Sequence, residues 1–122
     1  MGTISGRYRI GKSFAFEAAH CLPGLSQGHK CARLHGHSYR VEPIVEAESL
    51  VPPGFVTDFG DLAAFKRYLD AELDHRVLND VLSVEPTSEN LARHLAEWFV
   101  AEVEPGIPGR LGAARVSETA SS

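Results

Sequence analysis

The sequence is poor in cysteine and in long apolar segments. Its only cysteines are Cys21 and Cys31, which excludes the disulfide-stabilised scaffold of many small secreted domains. No apolar run approaches the roughly 20 residues that span a bilayer, and residues 1–12 lack the apolar core of a signal peptide. We therefore expect a cytoplasmic protein whose thiols are reduced, which favours catalysis or metal binding over a disulfide.

Positive charge is also scarce. Lysine and arginine together number 12, against 16 aspartate and glutamate residues, and the formal net charge is −4. A nucleic-acid-binding domain is usually basic, so this function class is disfavoured. The hydrophobic fraction of 43% and the charged fraction of 23% are typical of a soluble globular protein. The length fits one domain, residues 1–122.

Three segments show the period-two alternation of strands with one buried face. The first covers residues 8–18, where Lys12 interrupts the apolar row, and the second covers residues 35–48. Pro43 in the second segment indicates a sheet edge or a bulge, because proline cannot donate a ladder hydrogen bond. The third predicted strand covers residues 110–119.

Two helices are predicted between the second and third strands. Asp58 opens the first helix as an N-terminal cap, and the second starts at Thr87, directly after Pro86. Both carry apolar stripes at helical spacing, which are Leu62, Phe65, Leu69 and Leu73 in the first helix and Leu91, Leu95, Trp98, Phe99 and Val103 in the second. This order predicts an α+β fold with both helices on one face of an antiparallel sheet. The edges of so small a sheet favour oligomerisation.

Histidine is unusually concentrated, with four of the six histidines between residues 20 and 37. His35 and His37 are two apart at a strand start and so point to one face, and His20 ends the neighbouring strand with the parity of its buried row. Three imidazoles with an open fourth position are typical of a catalytic zinc site, although the spacing also fits a half-exposed polar pair. His29 is either a spare ligand or has no role, and His94 is expected to face solvent.

Cys31 is the candidate base or nucleophile. Near a divalent cation, and between the basic residues Lys30 and Arg33, its thiol would readily form a thiolate. It could instead be a fourth zinc ligand, which would make the site structural. Cys21 directly follows a candidate ligand, and we expect it to be structural.

Three further residues could move protons or bind substrate. Asp74 and His75 follow the first helix, where a carboxylate can orient an imidazole for proton transfer, and with Cys31 they would form a triad. The alternative is that they merely close the helix. Glu118 alone is a surface carboxylate, but in a cleft it could accept two parallel hydrogen bonds from a guanine-like or pterin-like edge.

Several short motifs follow one another along the chain. They are FEAAH at 16–20, HKCARLHGHSY at 29–39, TDF at 57–59, LDH at 73–75, LND at 78–80, PTSEN at 86–90 and ET at 118–119. In this order and spacing the chain resembles the 6-carboxytetrahydropterin synthase branch of the 6-pyruvoyltetrahydropterin synthase superfamily, from about residue 10 to residue 119. Each motif alone is weakly specific, whereas the ordered set is highly specific.

The resemblance implies a fold and a set of roles. The fold would be the tunnelling fold, in which a two-stranded hairpin, two helices and a second hairpin surround a channel. Active sites would lie between the subunits of a hexamer. The implied roles are zinc ligation by His20, His35 and His37, general-base catalysis by Cys31 with Asp74 and His75, anchoring of the pterin ring by Glu118, and pterin contacts by Thr87 and Ser88.

The implied reaction converts 7,8-dihydroneopterin triphosphate to 6-carboxy-5,6,7,8-tetrahydropterin, acetaldehyde and triphosphate, on the route to 7-deazaguanines such as queuosine. Three residues separate Cys31 from His35, which resembles the carboxy branch. The alternatives are a pyruvoyl-type triphosphate lyase, a relative that cleaves the side chain to a hydroxymethylpterin, and a non-catalytic zinc- or pterin-binding homologue. Because the sequence ends soon after Thr119, we expect the last strand of the tunnelling fold to be missing or truncated here.

Overall fold

The computed structural model of the chain describes residues 7–119. Within them, one sheet contains five strands: β1, Tyr8–Gly11; β2, Phe14–His20; β3, His35–Ala47; β4, Arg76–Val77; and β5, Arg110–Glu118. The α-helices are α1, Ala63–Tyr68, and α2, Ser88–Glu102, and shorter helical turns cover Lys30–Ala32, Phe59–Leu62, Leu69–Leu73, Leu78–Asp80 and Glu104–Gly106. The predicted α+β class is confirmed. The assignments made for residues 1–6 and 120–122 lie outside the described residues.

β3 is the central strand of the sheet. Its residues 35–41 pair antiparallel with β2 and its residues 44–47 with β1, whereas its residues 39–46 pair with β5. Because these ranges overlap, β1 and β2 must share one edge of β3, and β5 must occupy the other. The strand predicted for residues 8–18 is therefore two strands, interrupted at Lys12 and Ser13. The sequence does not predict β4, a two-residue strand parallel to β2, since two residues show no periodicity.

Pro43 lies inside this central strand, so the sheet edge predicted there is wrong and the bulge is right. Pro43 is opposite Ala114 of β5, and the register slips directly afterwards, between Ile44 and Val45. The extra residue is Gly112 of β5, where a Cβ would lie 2.5 Å from Glu46 Oε2. Glycine therefore lets the bulged backbone approach this carboxylate. Among residues 7–119 no strand follows β5.

The helices cover one face of the sheet, as predicted. The inward side chains Phe16 and Tyr39 are at most 2% exposed and stack with their ring centroids 5.2 Å apart. Phe65 of α1 and Phe99 of α2 meet edge to face at 5.5 Å. Arg40 lies on the opposite, exposed face of β3. Because side chains alternate along a strand, the inward parity of β2 and β3 also decides where the histidines point.

Capping side chains fix the helix starts. Asp58 accepts a hydrogen bond from the Gly60 N–H, so the cap predicted there is confirmed. Thr87, the predicted start of the second helix, is its N-cap and accepts a hydrogen bond from the Asn90 N–H. The first helical segment ends in a π-helical turn, Leu69–Leu73, a geometry often found next to functional sites. No helix among residues 7–119 has the length and apolar character needed to cross a membrane.

Candidate functional site

Strand pairing brings three histidines together at one end of the sheet. His20, the last residue of β2, pairs with His35, the first residue of β3, and His37 lies two residues further along β3. The three rings contact one another, with centroid separations of 4.6, 4.8 and 5.0 Å. His20 is 2% exposed and His37 is 9% exposed, so the cluster is largely shielded from water.

Main-chain carbonyls orient all three imidazoles through Nδ1. They are the carbonyl oxygens of Pro86, Arg33 and Thr119, which lie 2.7, 2.7 and 3.0 Å from Nδ1 of His20, His35 and His37, respectively. A carbonyl oxygen can only accept, so each Nδ1 carries the proton and each Nε2 presents a lone pair. Metal-binding histidines commonly have this arrangement, which fixes both the tautomer and the ring orientation.

The Nε2 atoms converge on one point. One ligand nitrogen of each histidine lies within 4.8 Å of the other two, and the Nε2 atoms of His20 and His35 are 3.0 Å apart. The buried Nε2 of His37 has no hydrogen-bond partner among the described residues. A cation bound by all three lone pairs would remove both the repulsion and the unpaired atom. Three imidazoles suit zinc and neighbouring transition metals, so these residues could hold a metal ion.

The surroundings of His20 favour its neutral form. Burial lowers the pKa of His20, and the nearby His35 and His37 act in the same direction when they are charged. An uncharged imidazole is the form that binds a metal ion. The ligand cluster among residues 7–119 contains no thiol, which speaks against Cys31 as a fourth ligand.

Glu118 lies beside the histidine cluster on β5. It is opposite Tyr39 of β3, its Oε1 is 3.8 Å from His37 Nε2, and Ser88 Oγ donates a hydrogen bond to its Oε2 at 3.1 Å. The hydroxyl of the buried Tyr39 is 3.2 Å from His20 Nδ1. Burial first, and then the Glu118 carboxylate, raise the pKa of Tyr39, which is therefore a neutral phenol. The structure thus places Glu118 next to the candidate metal ligands, and its role in binding stays a prediction.

The N-terminus of α2 holds the other two predicted substrate contacts. The Thr87 hydroxyl caps the helix by accepting from the Asn90 N–H at 3.1 Å, whereas Ser88 contacts Glu118. The side-chain amide of Asn90 donates to the Glu85 carbonyl at 2.9 Å. This segment is therefore held from both sides, and its hydroxyls have structural partners in addition to any ligand.

Asp74 and His75 form a pair at the edge of β2 away from β3. Asp74 Oδ2 is 3.0 Å from His75 Nδ1, and Asp74 Oδ1 accepts from the Glu17 N–H at 2.8 Å. The hydrogen bond from Glu17, followed by that from His75, lowers the pKa of Asp74. His75 has a φ of 59°, a left-handed conformation that costs a non-glycine residue about 1–2 kcal/mol. His75 lines a cleft of about 430 Å³ that Ser38 and His37 also line.

Cys31 is half-buried in the helical turn of the β2–β3 connection. Its N–H donates to His29 Nδ1 at 3.1 Å, so His29 caps this turn and is not part of the histidine cluster. Among residues 7–119 no hydrogen bond joins the Cys31 side chain to Asp74 or His75. Within residues 7–119 of a single chain, the predicted triad is therefore not joined by hydrogen bonds.

His94 does not face solvent as expected. It is half-buried on α2, its Nε2 is 2.7 Å from the Tyr68 hydroxyl, and Tyr68 stacks on Trp98 with ring centroids 4.1 Å apart. Burial lowers the pKa of His94. The prediction fails because Tyr68 covers a flank of α2 that lies outside the apolar stripe.

The chain matches a known family over nearly its whole length. The family model for 6-pyruvoyl tetrahydropterin synthase covers residues 9–122. The chain belongs to this family. Every candidate site residue lies within the matched range, and the resemblance seen in the sequence motifs is confirmed.

Curated relatives in the 6-pyruvoyl tetrahydropterin synthase family indicate the enzyme class. A 6-carboxy-5,6,7,8-tetrahydropterin synthase of Synechocystis is 42% identical over 120 residues, covering 93% of this chain and 88% of the relative. A dihydroneopterin monophosphate aldolase of Pyrococcus furiosus is 33% identical over 103 residues, covering 84% and 81%. The predicted enzyme class, a lyase similar to 6-carboxytetrahydropterin synthases, is confirmed.

Solved structures of the family share the fold. The 6-pyruvoyl tetrahydropterin synthase of Caenorhabditis elegans has a TM-score of 0.80 at 25% identity, with 95% of this chain and 91% of that chain covered. An uncharacterized protein of Wolinella succinogenes has a TM-score of 0.80 at 24% identity, with 97% and 96% covered. The predicted tunnelling fold is confirmed.

Some residues that organise the site are invisible to pattern analysis. The alternation along β3 places Tyr39 among the buried side chains and so predicts a core residue, but its hydroxyl contacts the His20 ring. Asn79 exchanges two hydrogen bonds with the backbone of Cys21, and only its place in the LND motif draws attention to it. The groups that orient the imidazoles are main-chain carbonyls, which every residue has, so no residue type in the sequence indicates them.

Proposed function

We propose that this protein is a zinc-dependent carbon–carbon lyase that converts 7,8-dihydroneopterin triphosphate to 6-carboxy-5,6,7,8-tetrahydropterin, acetaldehyde and triphosphate. The pathway would be the biosynthesis of 7-deazaguanines such as queuosine. The observation that carries the proposal is the set of three convergent Nε2 lone pairs of His20, His35 and His37, each fixed by a carbonyl at Nδ1. The 42% identical Synechocystis relative supports the choice of reaction.

His20, His35 and His37 would hold the zinc ion through Nε2. When bound, zinc supplies Lewis-acid polarisation of the side-chain hydroxyls of the substrate and lowers their pKa. The described cluster offers three protein ligands, the number that leaves room for substrate at a catalytic zinc site.

Glu118 would anchor the pterin ring. A carboxylate can accept two parallel hydrogen bonds from a ring N–H and the adjacent amino group. The hydrogen bond from Ser88 to Oε2 and the closeness of Tyr39 would hold this carboxylate in one orientation. Thr87 and Ser88 would border the bound ring from the N-terminus of α2.

Proton transfer would be divided between Cys31 and His75. Cys31, as the thiolate, would remove a proton from the side-chain carbon next to the ring. His75 would carry protons between intermediates, with Asp74 fixing its ring through Nδ1 at 3.0 Å. Tautomerisation would then allow triphosphate to leave, which gives a side chain with two adjacent carbonyl groups. Addition of a water molecule to the carbonyl next to the ring would allow the carbon–carbon bond between the two carbonyls to break, with the carboxyl group staying on the ring and acetaldehyde leaving.

The complete site would form between subunits of a hexamer in the cytoplasm. Among the described residues of one chain, no hydrogen bond joins Cys31 to the Asp74–His75 pair, which favours a site completed by a second copy. β5 pairs with β3 along one edge only among the described residues, and an unpaired edge is a natural surface for assembly. Light scattering coupled to size exclusion would measure the assembly, and a monomer would contradict it.

An aldolase is the second candidate. The Pyrococcus furiosus relative, a dihydroneopterin monophosphate aldolase, is 33% identical and covers 84% of this chain. Such an enzyme would cleave the same side chain but leave a hydroxymethyl group. A pyruvoyl-type triphosphate lyase would retain the carbon skeleton.

The deciding experiment is incubation of the zinc-loaded protein with 7,8-dihydroneopterin triphosphate, followed by mass spectrometry of the products. 6-Carboxytetrahydropterin with acetaldehyde would establish the proposal. A hydroxymethyl or pyruvoyl product would assign the protein to one of the other reactions. The absence of any product at full zinc occupancy would support a non-catalytic binding protein.

A further inference from the structure

The side chain of Asn79 is hydrogen-bonded to both polar groups of the Cys21 backbone. The Cys21 N–H donates to Asn79 Oδ1 at 3.0 Å, and Asn79 Nδ2 donates to the Cys21 carbonyl at 2.9 Å. An amide side chain that exchanges two hydrogen bonds in this way substitutes for one rung of a β-ladder. It fixes the path of the chain one residue beyond His20, where β2 ends.

The residue after Cys21 carries this constraint to Cys31. The Leu22 N–H donates to the Cys31 carbonyl at 2.8 Å, and the Cys31 N–H donates to His29 Nδ1 at 3.1 Å. Both main-chain groups of Cys31 are thus held. The first of these bonds depends on the position of Leu22. That position depends in turn on the pair of hydrogen bonds between Asn79 and Cys21, which we call the clamp.

Packing contributes little to the shape of this connection. Residues 23–30 are all exposed, so few apolar contacts hold them. Within the part of the chain that the structure describes, the one other hydrogen bond from this segment to the rest of the fold is donated by the Gly24 N–H to the Glu85 carboxylate. Where burial is weak, hydrogen bonds to the rigid part of the fold decide the local conformation.

We propose that Asn79 is a positioning residue for Cys31. Among residues 7–119 its side chain hydrogen-bonds to Cys21 and to none of the three histidines, and it acts by holding the base of the β2–β3 connection through Cys21 and Leu22. This inference rests on the proposed function, in which Cys31 transfers a proton. Because a displacement near 1 Å can cost about a hundredfold in rate, loss of the clamp should lower kcat more than it changes KM.

The test compares Asn79→Ala with Val103→Ala, both zinc-loaded. Val103 is 4% exposed and follows the C-terminal end of α2, away from the connection, so its truncation destabilises the fold without touching the clamp. The first readout is the split between kcat and KM on 7,8-dihydroneopterin triphosphate. The second is the rate of iodoacetamide labelling of Cys31. Trypsin separates the two thiols, since Cys21 falls in peptide 13–30 and Cys31 in peptide 31–33.

For Asn79→Ala we expect kcat to fall at least roughly tenfold with KM within about twofold. Labelling of Cys31 should become at least about threefold faster, because a half-buried thiol on a loosened loop is more often exposed. In Val103→Ala both quantities should stay near the wild-type values. If the two variants behave alike, or if kcat falls while the labelling rate is unchanged, Asn79 does not act through Cys31.

A substitute variant and a readout that does not depend on turnover allow the test to decide the role of Asn79 in every case. If Asn79→Ala does not fold, Asn79→Asp replaces it, since the carboxylate can accept from the Cys21 N–H but cannot donate to the Cys21 carbonyl. If the wild-type protein itself turns over no dihydropterin, the proposed function has failed. The labelling rates then decide the positioning role of Asn79 alone.

Discussion

The Nδ1 atom of His20 lies 2.7 Å from the carbonyl oxygen of Pro86, so the turn before α2 orients a candidate metal ligand on β2. Asn90 closes this turn by donating from its side chain to the Glu85 carbonyl at 2.9 Å. The geometry of the histidine cluster therefore depends on a segment far away in sequence.

Loosening that turn should weaken metal binding. We expect Asn90→Ala to lower zinc affinity by up to about tenfold, the low end of the effect seen when partners of metal-binding histidines are removed. Competition with a chromogenic chelator measures the affinity. Arg93→Ala, an exposed change on the same helix, is the matched control. Equal affinities for the two variants would contradict a role of the turn.

Removal of a ligand should abolish zinc retention. His37→Gln takes away one of three converging nitrogens, and we expect less than one tenth of the wild-type zinc content after dialysis, as a two-ligand site binds poorly. Elemental analysis gives the metal-to-protein ratio. His29→Gln should retain zinc, because His29 lies outside the cluster. Full occupancy in His37→Gln would show that the metal is bound elsewhere.

The thiol of Cys31 should matter for turnover only. We expect Cys31→Ala to keep zinc and pterin binding and to lose roughly 10²- to 10⁴-fold in kcat, the usual contribution of a positioned proton-transfer group. Cys21→Ala, the matched control, should stay active. Loss of zinc from Cys31→Ala would make Cys31 a ligand and refute its assignment as the base.

The carboxylate of Glu118 should matter for substrate binding. We expect Glu118→Ala to raise the dissociation constant of a pterin roughly 10- to 100-fold, because a hydrogen bond to a charged group contributes about 1.5–3 kcal/mol. Fluorescence titration gives the constant, and elemental analysis should find a normal zinc content. Tyr39→Phe should show a smaller loss in the same direction, since it removes only a neighbouring hydroxyl. Unchanged pterin binding in Glu118→Ala would exclude the anchoring role.

His94 should make folding stability pH-dependent. Burial places its pKa below the ordinary value of 6.5, so the unfolded chain binds more protons than the native one as pH falls below that value. The free energy of unfolding should therefore decrease from pH 6.5 downward through the native pKa, and His94 should add no slope above it. Urea unfolding near pH 5 and near pH 7.5 tests this in wild type and His94→Gln. Parallel behaviour of the two proteins would rule out His94 as the source.

Local patterns predict both helices and the longer strands, and side-chain parity predicts the histidine cluster. His35 and His37 share a face because they are two apart, and His20 joins them because β2 and β3 pair with His20 opposite His35. The two apolar stripes were enough to predict the two helices. The grouping of the three histidines could be predicted because side chains alternate regularly along a strand.

Features created by contacts between distant segments could not be predicted. The carbonyls of Pro86 and Thr119 reach the imidazoles from 66 and 82 residues away in sequence. Tyr68 covers His94 only because α1 packs beside α2. The left-handed backbone of His75 likewise follows from its tertiary setting, since its N–H bonds the Glu17 carbonyl at 2.5 Å.

Within residues 7–119, His37 Nε2 has no hydrogen-bond partner, and the Nε2 atoms of His20 and His35 lie close together. The native state itself would therefore be the receptor for the proposed ion. An unfolded chain cannot offer three converging lone pairs, so binding of the proposed zinc ion would be coupled to folding. At a free concentration a thousand times its dissociation constant, a ligand of this kind adds about 4 kcal/mol to stability, a large share of the 5–15 kcal/mol typical of a domain. Zinc starvation would then lower the amount of this protein in the cell through unfolding and proteolysis, in addition to removing its activity.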